Sequence, residues 1–396
     1  MKKIISLVLS LALVLGCVPV LADVSGKTYS EYDPALRDLA EKYGFKIGIC
    51  LSPEHLGVSA AYRDFLAAHF NTTTCTNETK AYSLLDQRAS KAAEDGMPVM
   101  NYTQADKMLK WASAHNIGVR GHVLTWDAYM SEWFFHEGYD EKKPVASREV
   151  ILARMESYIT QVMTHFETEF PGVIYCWDVV NEAMGDNANE YEAGDQAHIR
   201  TVRNGAPNPF YKYVGRDYVP YSFLYARNAA EALGADIKLF YNDYNEQFKT
   251  QALVDLVKSL VDEDGNSLID GIGFQAHLYT EDDLNAYFRN MDRIAELGVK
   301  IQLTELDVCL GSYQKTLSAT EKNLKTQGQY YYNLINGIFE RVDSGKVSMN
   351  ALTFWGFSDG LSWRRSQSPL LYNMMLQPKY AFYGAAQVKD FAGFDQ

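Results

Sequence analysis

Short apolar runs rich in β-branched residues alternate along this chain with longer stretches whose apolar positions recur at helical spacing. The strand-type runs are 45–50, 69–74, 118–123, 173–181, 237–242, 271–276, 299–305 and 351–355. Between them, helical periodicity predicts segments such as 104–115, 147–170, 221–233, 252–262, 283–297 and 319–343. A run that is apolar on successive rather than alternate residues is buried on both faces, as strands of a parallel sheet are. Gly234 and Gly298 fall just past two helical segments, where a left-handed residue ends a helix. Eight such strands joined by crossover helices imply an α/β chain folded as a (β/α)8 TIM barrel.

Two of the apolar runs stop at a carboxylate. Trp177-Asp178-Val179-Val180-Asn181-Glu182 closes the fourth run, and Gln302-Leu303-Thr304-Glu305-Leu306-Asp307 closes the seventh. In a barrel of this kind the C-terminal ends of the strands carry the chemistry. Two glutamates delivered there, one preceded by an asparagine, are what acid-assisted cleavage of a glycosidic bond requires.

The chain has 396 residues, more than the ~250 of a bare barrel, which leaves room for long βα loops. No Ser/Thr/Pro-rich linker, low-complexity tract or internal repeat divides it, so a single catalytic domain is expected over residues 23–396. Residues 1–22 read as a secretory signal: Lys2 and Lys3, an apolar run from Ile4 to Val14, then the small-residue exit Val20-Leu21-Ala22. That predicts a secreted protein; Leu15-Gly16-Cys17 leaves open a second reading, a lipid anchor on Cys17 at the cell surface. No later stretch is apolar enough to span a membrane. The net charge of −13 argues against nucleic acid and for a neutral or weakly charged partner. Aromatic residues make up 13 % of the chain; much of that is core and interface packing, but sugar-binding clefts also use flat rings. Cys50, Cys75, Cys176 and Cys309 all lie in strand-like runs with no CxxC pair; they read as buried thiols, with a disulfide left open. His122 and His277 have no carboxylate or histidine at ligand spacing beyond those with other roles, so neither a metal-dependent mechanism nor a cofactor is expected. Nothing in the sequence points to an oligomeric state.

Five motifs occur in a fixed order: Arg120-Gly121-His122-Val123-Leu124-Thr125-Trp126, the Asp178–Glu182 run, Gly271-Ile272-Gly273-Phe274-Gln275-Ala276-His277-Leu278, Thr304–Asp307, and the stretch from Phe354-Trp355 to Trp363-Arg364. With Tyr241–Asn245 and Arg200–Arg227, they resemble glycoside hydrolase family 10, the endo-β-1,4-xylanase family, over roughly residues 30–390. The resemblance implies retaining hydrolysis of xylan or a related plant cell-wall β-glycan, with Glu182 as acid/base and Glu305 as nucleophile. It implies that Asp307 orients His277, that His277 fixes Glu305, and that Asn181 binds the 2-hydroxyl at the cleavage site. Asn77, Lys80, His122, Trp126, Tyr129, Gln275, Trp355 and Trp363 are then the expected substrate-binding residues.

The pattern breaks in two places. Where the family has Trp-His-Ser-Gln after the third strand, this chain has Trp126-Asp127-Ala128-Tyr129; where it has Glu-Asn-x-x-Lys-Trp after the second, it has Thr76-Asn77-Glu78-Thr79-Lys80-Ala81. The departures fall on the sugar subsite beyond the cleavage site and leave the cleavage residues untouched. Two alternatives stay beside the xylanase reading. One keeps the mechanism on another or heavily decorated β-glycan; the other is a glycan-binding barrel without catalysis, from which one catalytic carboxylate would be expected to be missing.

Overall fold

The structure, a computed structural model, describes residues 35–57 and 60–391. The signal segment 1–22, with Cys17, lies outside the described residues. Eight parallel strands form the barrel: β1 Lys46–Leu51, β2 Thr72–Cys75, β3 Gly118–Thr125, β4 Ile174–Asn181, β5 Lys238–Asp243, β6 Gly271–Phe274, β7 Lys300–Cys309 and β8 Met349–Phe354. They neighbour one another in chain order, and β8 pairs with both β1 and β7, which closes the ring. Closure removes every sheet edge, so the strands are buried almost throughout.

Local chemistry sets the helix limits. Ser147, Asp283 and Thr320 each accept a backbone N–H at the first turn of helices Arg148–Glu169, Leu284–Ala295 and Glu321–Asp343. Gly234 ends helix Tyr218–Leu233 with φ +63°, as its position in the sequence predicts.

Three expectations about strand limits are corrected. His69 belongs to the helix Ala60–His69, and β2 begins only at Thr72. The sixth run breaks after Phe274: Ala276 has φ +60°, and a separate short strand, His277–Tyr279, resumes alongside β7. β7 does not end at Glu305 but continues to Cys309, because that short strand pairs with its last three residues. All four described cysteines are buried and free. Among the described residues no helix is long and apolar enough to cross a membrane, and no cluster of three candidate metal ligands occurs.

Candidate active site

The strands depart from regular pairing where the expected site residues lie. Register shifts occur between His122 and Thr125 on β3, between Asp178 and Val180 on β4, and between Leu303 and Leu306 on β7, the last enclosing Glu305. Such irregularities re-aim side chains that a regular strand would send into its neighbours. Glu182 follows β4 with φ +53°, a left-handed conformation that a residue with a Cβ adopts only when its surroundings impose it.

The two glutamates face one another across a chain of amides. Gln275 Nε2 donates to Glu182 Oε1 at 3.0 Å and to Asn181 Oδ1 at 3.3 Å. Asn242 Nδ2 donates to Asn181 Oδ1 and to Glu305 Oε1, both at 2.9 Å. Gly273 makes room for this: a Cβ there would lie 2.4 Å from Asn242 Oδ1. The Asn181 Nδ2 group is buried without a protein partner, an unused donor.

The environments pull the carboxylates apart. Burial raises the pKa of Glu182; Arg203 and Gln275 oppose that rise, and Asp243 and Glu305 add to it. Burial is the largest of these influences, and Asp243 weighs more than Glu305. Burial would raise Glu305 too, yet His277, His122 and Arg120 outweigh it and hold its pKa down to about 2. His277 Nε2 lies 3.4 Å from Glu305 Oε2, and Nδ1 lies 3.1 Å from Asp307 Oδ2. Burial works against a charged imidazole, but the two carboxylates prevail and raise His277 to about 10. Asp307 is itself held by Trp363 Nε1 at 3.0 Å and Arg364 Nη1 at 3.1 Å. One residue that stays ionised therefore faces one that favours its proton, the division of labour a two-carboxylate hydrolase needs.

Burial pushes the pKa of His122 well down, against the opposing pull of Glu305. Its Nδ1 sits 2.8 Å from Asp178 Oδ2, and Asp178 also accepts from Arg120; all three are buried in the barrel interior.

The remaining expected residues form two walls. On one, Lys80 Nζ donates to Asn77 Oδ1 at 3.0 Å and lies 5.1 Å from the Trp126 ring and 4.6 Å from the Tyr129 ring. Trp126 Nε1 is buried with no protein partner, and Tyr129 sits tilted between Trp126 at 4.4 Å and Tyr82 at 5.2 Å. Trp355 stands edge-on to His122 at 5.7 Å. Trp363 packs against His277 at 5.1 Å and is 64 % exposed. Trp126 lies beside the same His122 ring, at 5.9 Å, whereas Trp363 is gathered with His277.

Sequence reasoning missed several members. Asn242 lay in a quoted motif, but its role appears only through its register with Asn181 across β4 and β5. Tyr82 gave no signal as a site residue, and Asp127 and Arg203 stood out only as a departure from the family pattern and as part of a quoted stretch, with nothing to pair them. Arg203 donates to both oxygens of Asp127, at 2.8 and 2.7 Å, and to Glu182 Oε2 at 2.7 Å.

The sequence pattern of "Glycosyl hydrolase family 10" matches residues 35–388. The chain is 33 % identical over 88 % of its length to endo-1,4-beta-xylanase A of Thermoanaerobacterium saccharolyticum, covering 27 % of that protein. It is 32 % identical over 89 % of its length to exoglucanase XynX of Acetivibrio thermocellus, covering 29 %. The chain therefore spans between a quarter and a third of the length of these two relatives. Among solved structures, an intracellular xylanase of Thermoanaerobacterium saccharolyticum, as an alanine mutant in complex with xylotetraose, superposes with a TM-score of 0.72 at 32 % identity. That match covers 89 % of this chain and 98 % of the other.

Proposed function

The chain belongs to glycosyl hydrolase family 10, and from that premise we propose that it is a retaining endo-β-1,4-xylanase acting by double displacement. The observation that carries the reading is the hydrogen-bonded line from Glu182 through Gln275, Asn181 and Asn242 to Glu305, whose two ends have opposite proton preferences.

In the first step the Glu305 carboxylate attacks the anomeric carbon while the glycosidic C–O bond breaks. The leaving oxygen takes the proton of Glu182, and the shortened chain departs. In the second, the Glu182 carboxylate removes a proton from water, whose oxygen displaces Glu305 and restores the starting configuration. His277 and Asp307 keep Glu305 ionised and in place. The open Asn181 amide donates to the neighbouring 2-hydroxyl as positive charge grows on the ring. Lys80, Asn77 and His122 serve sugar hydroxyls, and Trp126, Trp355 and Trp363 cover the apolar faces of the pyranose.

Release of reducing ends from plain xylan, with the anomer formed first followed by proton NMR, tests the activity and its stereochemistry together. Inverted product would reject double displacement, and no release of reducing ends would reject the xylanase. A second reading, the same mechanism on a different or decorated β-glycan, is favoured by Thr76 and Tyr129 on the outer wall. A product profile on plain xylan, arabinoxylan and β-glucan separates the two.

The basic pair and apolar run within residues 1–22 support export of the enzyme. Secretion would place it in the culture medium and a Cys17 anchor in the membrane fraction; retention in the cytosol would reject both.

A further inference from the structure

The hydrolytic scheme leaves two charged side chains at the cleft without a role, Arg203 and Asp127. Arg203 sits on a two-residue rung, Val202–Arg203, paired antiparallel with Ala206–Pro207 in the loop after β4. Its neighbour Arg200 ties that loop to the strand end: Arg200 N–H donates to Ala183 O at 2.6 Å, and its guanidinium reaches the Glu182 carbonyl at 3.3 Å. The Arg203 guanidinium is divided between two acids. Nε and one edge of Nη2 hold Asp127, which is nearly inaccessible to solvent. Nη1 donates to Glu182 Oε2 at 2.7 Å, and Nη2 also reaches the Glu182 carbonyl at 2.9 Å. A bidentate seat of this kind fixes the plane of a guanidinium as well as its charge.

We propose that Arg203, seated on Asp127, is a positioning residue for Glu182 that sets the balance between its acid and base forms. The inference rests on Glu182 being the acid/base. With Gln275 on Oε1 and Arg203 on Oε2, both oxygens of Glu182 already accept an N–H, which favours the carboxylate. That form is the one the second step uses, whereas the first needs the acid. Burial works the other way, so the proton affinity of Glu182 is a compromise that Arg203 pulls down. Asp127 stands where the family pattern has a histidine, so the departure supplies the anion that seats the guanidinium. The other charged or titratable groups facing Glu182 are Arg200 from the same loop, Asp243 at the end of β5 and Glu305 on β7, with Lys80 after β2 and Tyr129 after β3 farther across the cleft. All of them remain in place when only Arg203 is changed.

The experiment is the pH dependence of kcat/KM for the wild type, Arg203→Gln and Arg203→Lys, on xylotetraose and on a dinitrophenyl β-xylobioside. The basic limb on xylotetraose reports loss of the acid form of Glu182 in the free enzyme. Loss of a cation in direct contact should move that limb up by about one pH unit or more in Arg203→Gln. Arg203→Lys, which keeps the charge, should return it toward the wild-type position. The dinitrophenyl substrate, whose departure needs no proton, should be hydrolysed by Arg203→Gln almost as by the wild type. If the single variant folds poorly because Asp127 is left buried and unpaired, Arg203→Gln with Asp127→Asn keeps a neutral hydrogen-bonded pair and should move the limb the same way. An unmoved limb in the neutral variants, an equal shift in the lysine variant, or an equal loss on both substrates would overturn the inference. Glu182→Ala tells the two readings apart. If it leaves the wild-type basic limb intact, the acid/base assignment fails; if it abolishes the limb while Arg203→Gln leaves it in place, only the role of Arg203 fails.

Discussion

Asn181 and Asn242 stand directly opposite one another at the ends of β4 and β5, and the Asn242 amide donates to the Asn181 side-chain carbonyl over 2.9 Å. That bond decides which way Asn181 faces. With its oxygen engaged, its buried NH2 group is left without a protein partner. The same Asn242 nitrogen also donates to Glu305, so one side chain orients both Asn181 and Glu305.

Asn242→Ala should therefore lower kcat on xylo-oligosaccharides by about 10–100-fold, the range for removing a group that orients a reactive one. Gly273→Ala should act in the same direction without touching either glutamate, since its Cβ would meet Asn242 Oδ1 at 2.4 Å. Steady-state kinetics with a thermal melt of each variant checks this; full activity in both folded variants would remove Asn242 from the mechanism.

The two glutamates should part company when the leaving group changes. Glu182→Ala should still attack dinitrophenyl glycosides, and azide should rescue its second step as a β-glycosyl azide. Glu305→Ala should be inactive on every substrate, because no covalent intermediate forms. Identical behaviour across leaving groups would show that the roles are wrongly assigned.

His277 and Asp307 offer a prediction in pH. Under the proposed mechanism Glu305 must be ionised to attack, and contact with His277 is a main reason its pKa lies at about 2. His277→Gln removes that help, Glu305 climbs, and the acidic limb of kcat moves to higher pH. Stability gives a second sign. His277 is raised from 6.5 to about 10, so its ion pairs contribute fully below its unfolded value and are lost as pH rises toward 10. The melting temperature of the wild type should thus exceed that of His277→Gln by an amount that shrinks between neutral pH and about 10. A gap that stays constant with pH, with an unmoved acidic limb, would dismiss the relay.

The barrel and the convergence of Glu182 and Glu305 in one buried site were legible in the sequence because they depend on local pattern: successive apolar residues mark a buried parallel strand, and a carboxylate where such a run should stop has no reason in packing. The rest depends on partners distant in the chain. Arg203 and Asp127 are 76 residues apart, and nothing near either announces the other. Glu305 looked like the last residue of its strand because β7 is prolonged by pairing with His277–Tyr279, a contact between segments that composition does not encode. His69 looked like the start of a strand because β-branched threonines follow it closely, yet it closes a helix and packs against Phe65 at 4.6 Å. Here tertiary contact overrode local preference.

The outer subsite carries the last prediction. Thr76 stands where the family pattern has a glutamate, and Tyr129 where it has a glutamine. A charged acceptor and an amide that would hold a sugar hydroxyl are replaced by a short hydroxyl and an aromatic ring. Each lost hydrogen bond should cost about 0.5–1.5 kcal/mol, and more where the partner was charged. The structure shows what stands in their place: Tyr129 joins Tyr82 and Trp126 in one aromatic surface, with Lys80 Nζ 4.6 Å from its ring. Such a surface grips the flat face of a sugar and reads its hydroxyls poorly, and Thr76 has a shorter side chain than a glutamate. Plain xylose should bind more weakly here, and a decorated or bulkier residue should be tolerated. Thr76→Glu with Tyr129→Gln should raise activity on short unbranched xylo-oligosaccharides and lower the ratio of arabinoxylan to plain xylan hydrolysis. Because Tyr129 also packs on Trp126, the double variant should be compared with Tyr129→Phe, which keeps the ring and should leave the ratio near that of the wild type. If the double variant leaves the ratio where it was, the two substitutions do not govern this subsite, and its preference must be sought in Tyr82 and Lys80.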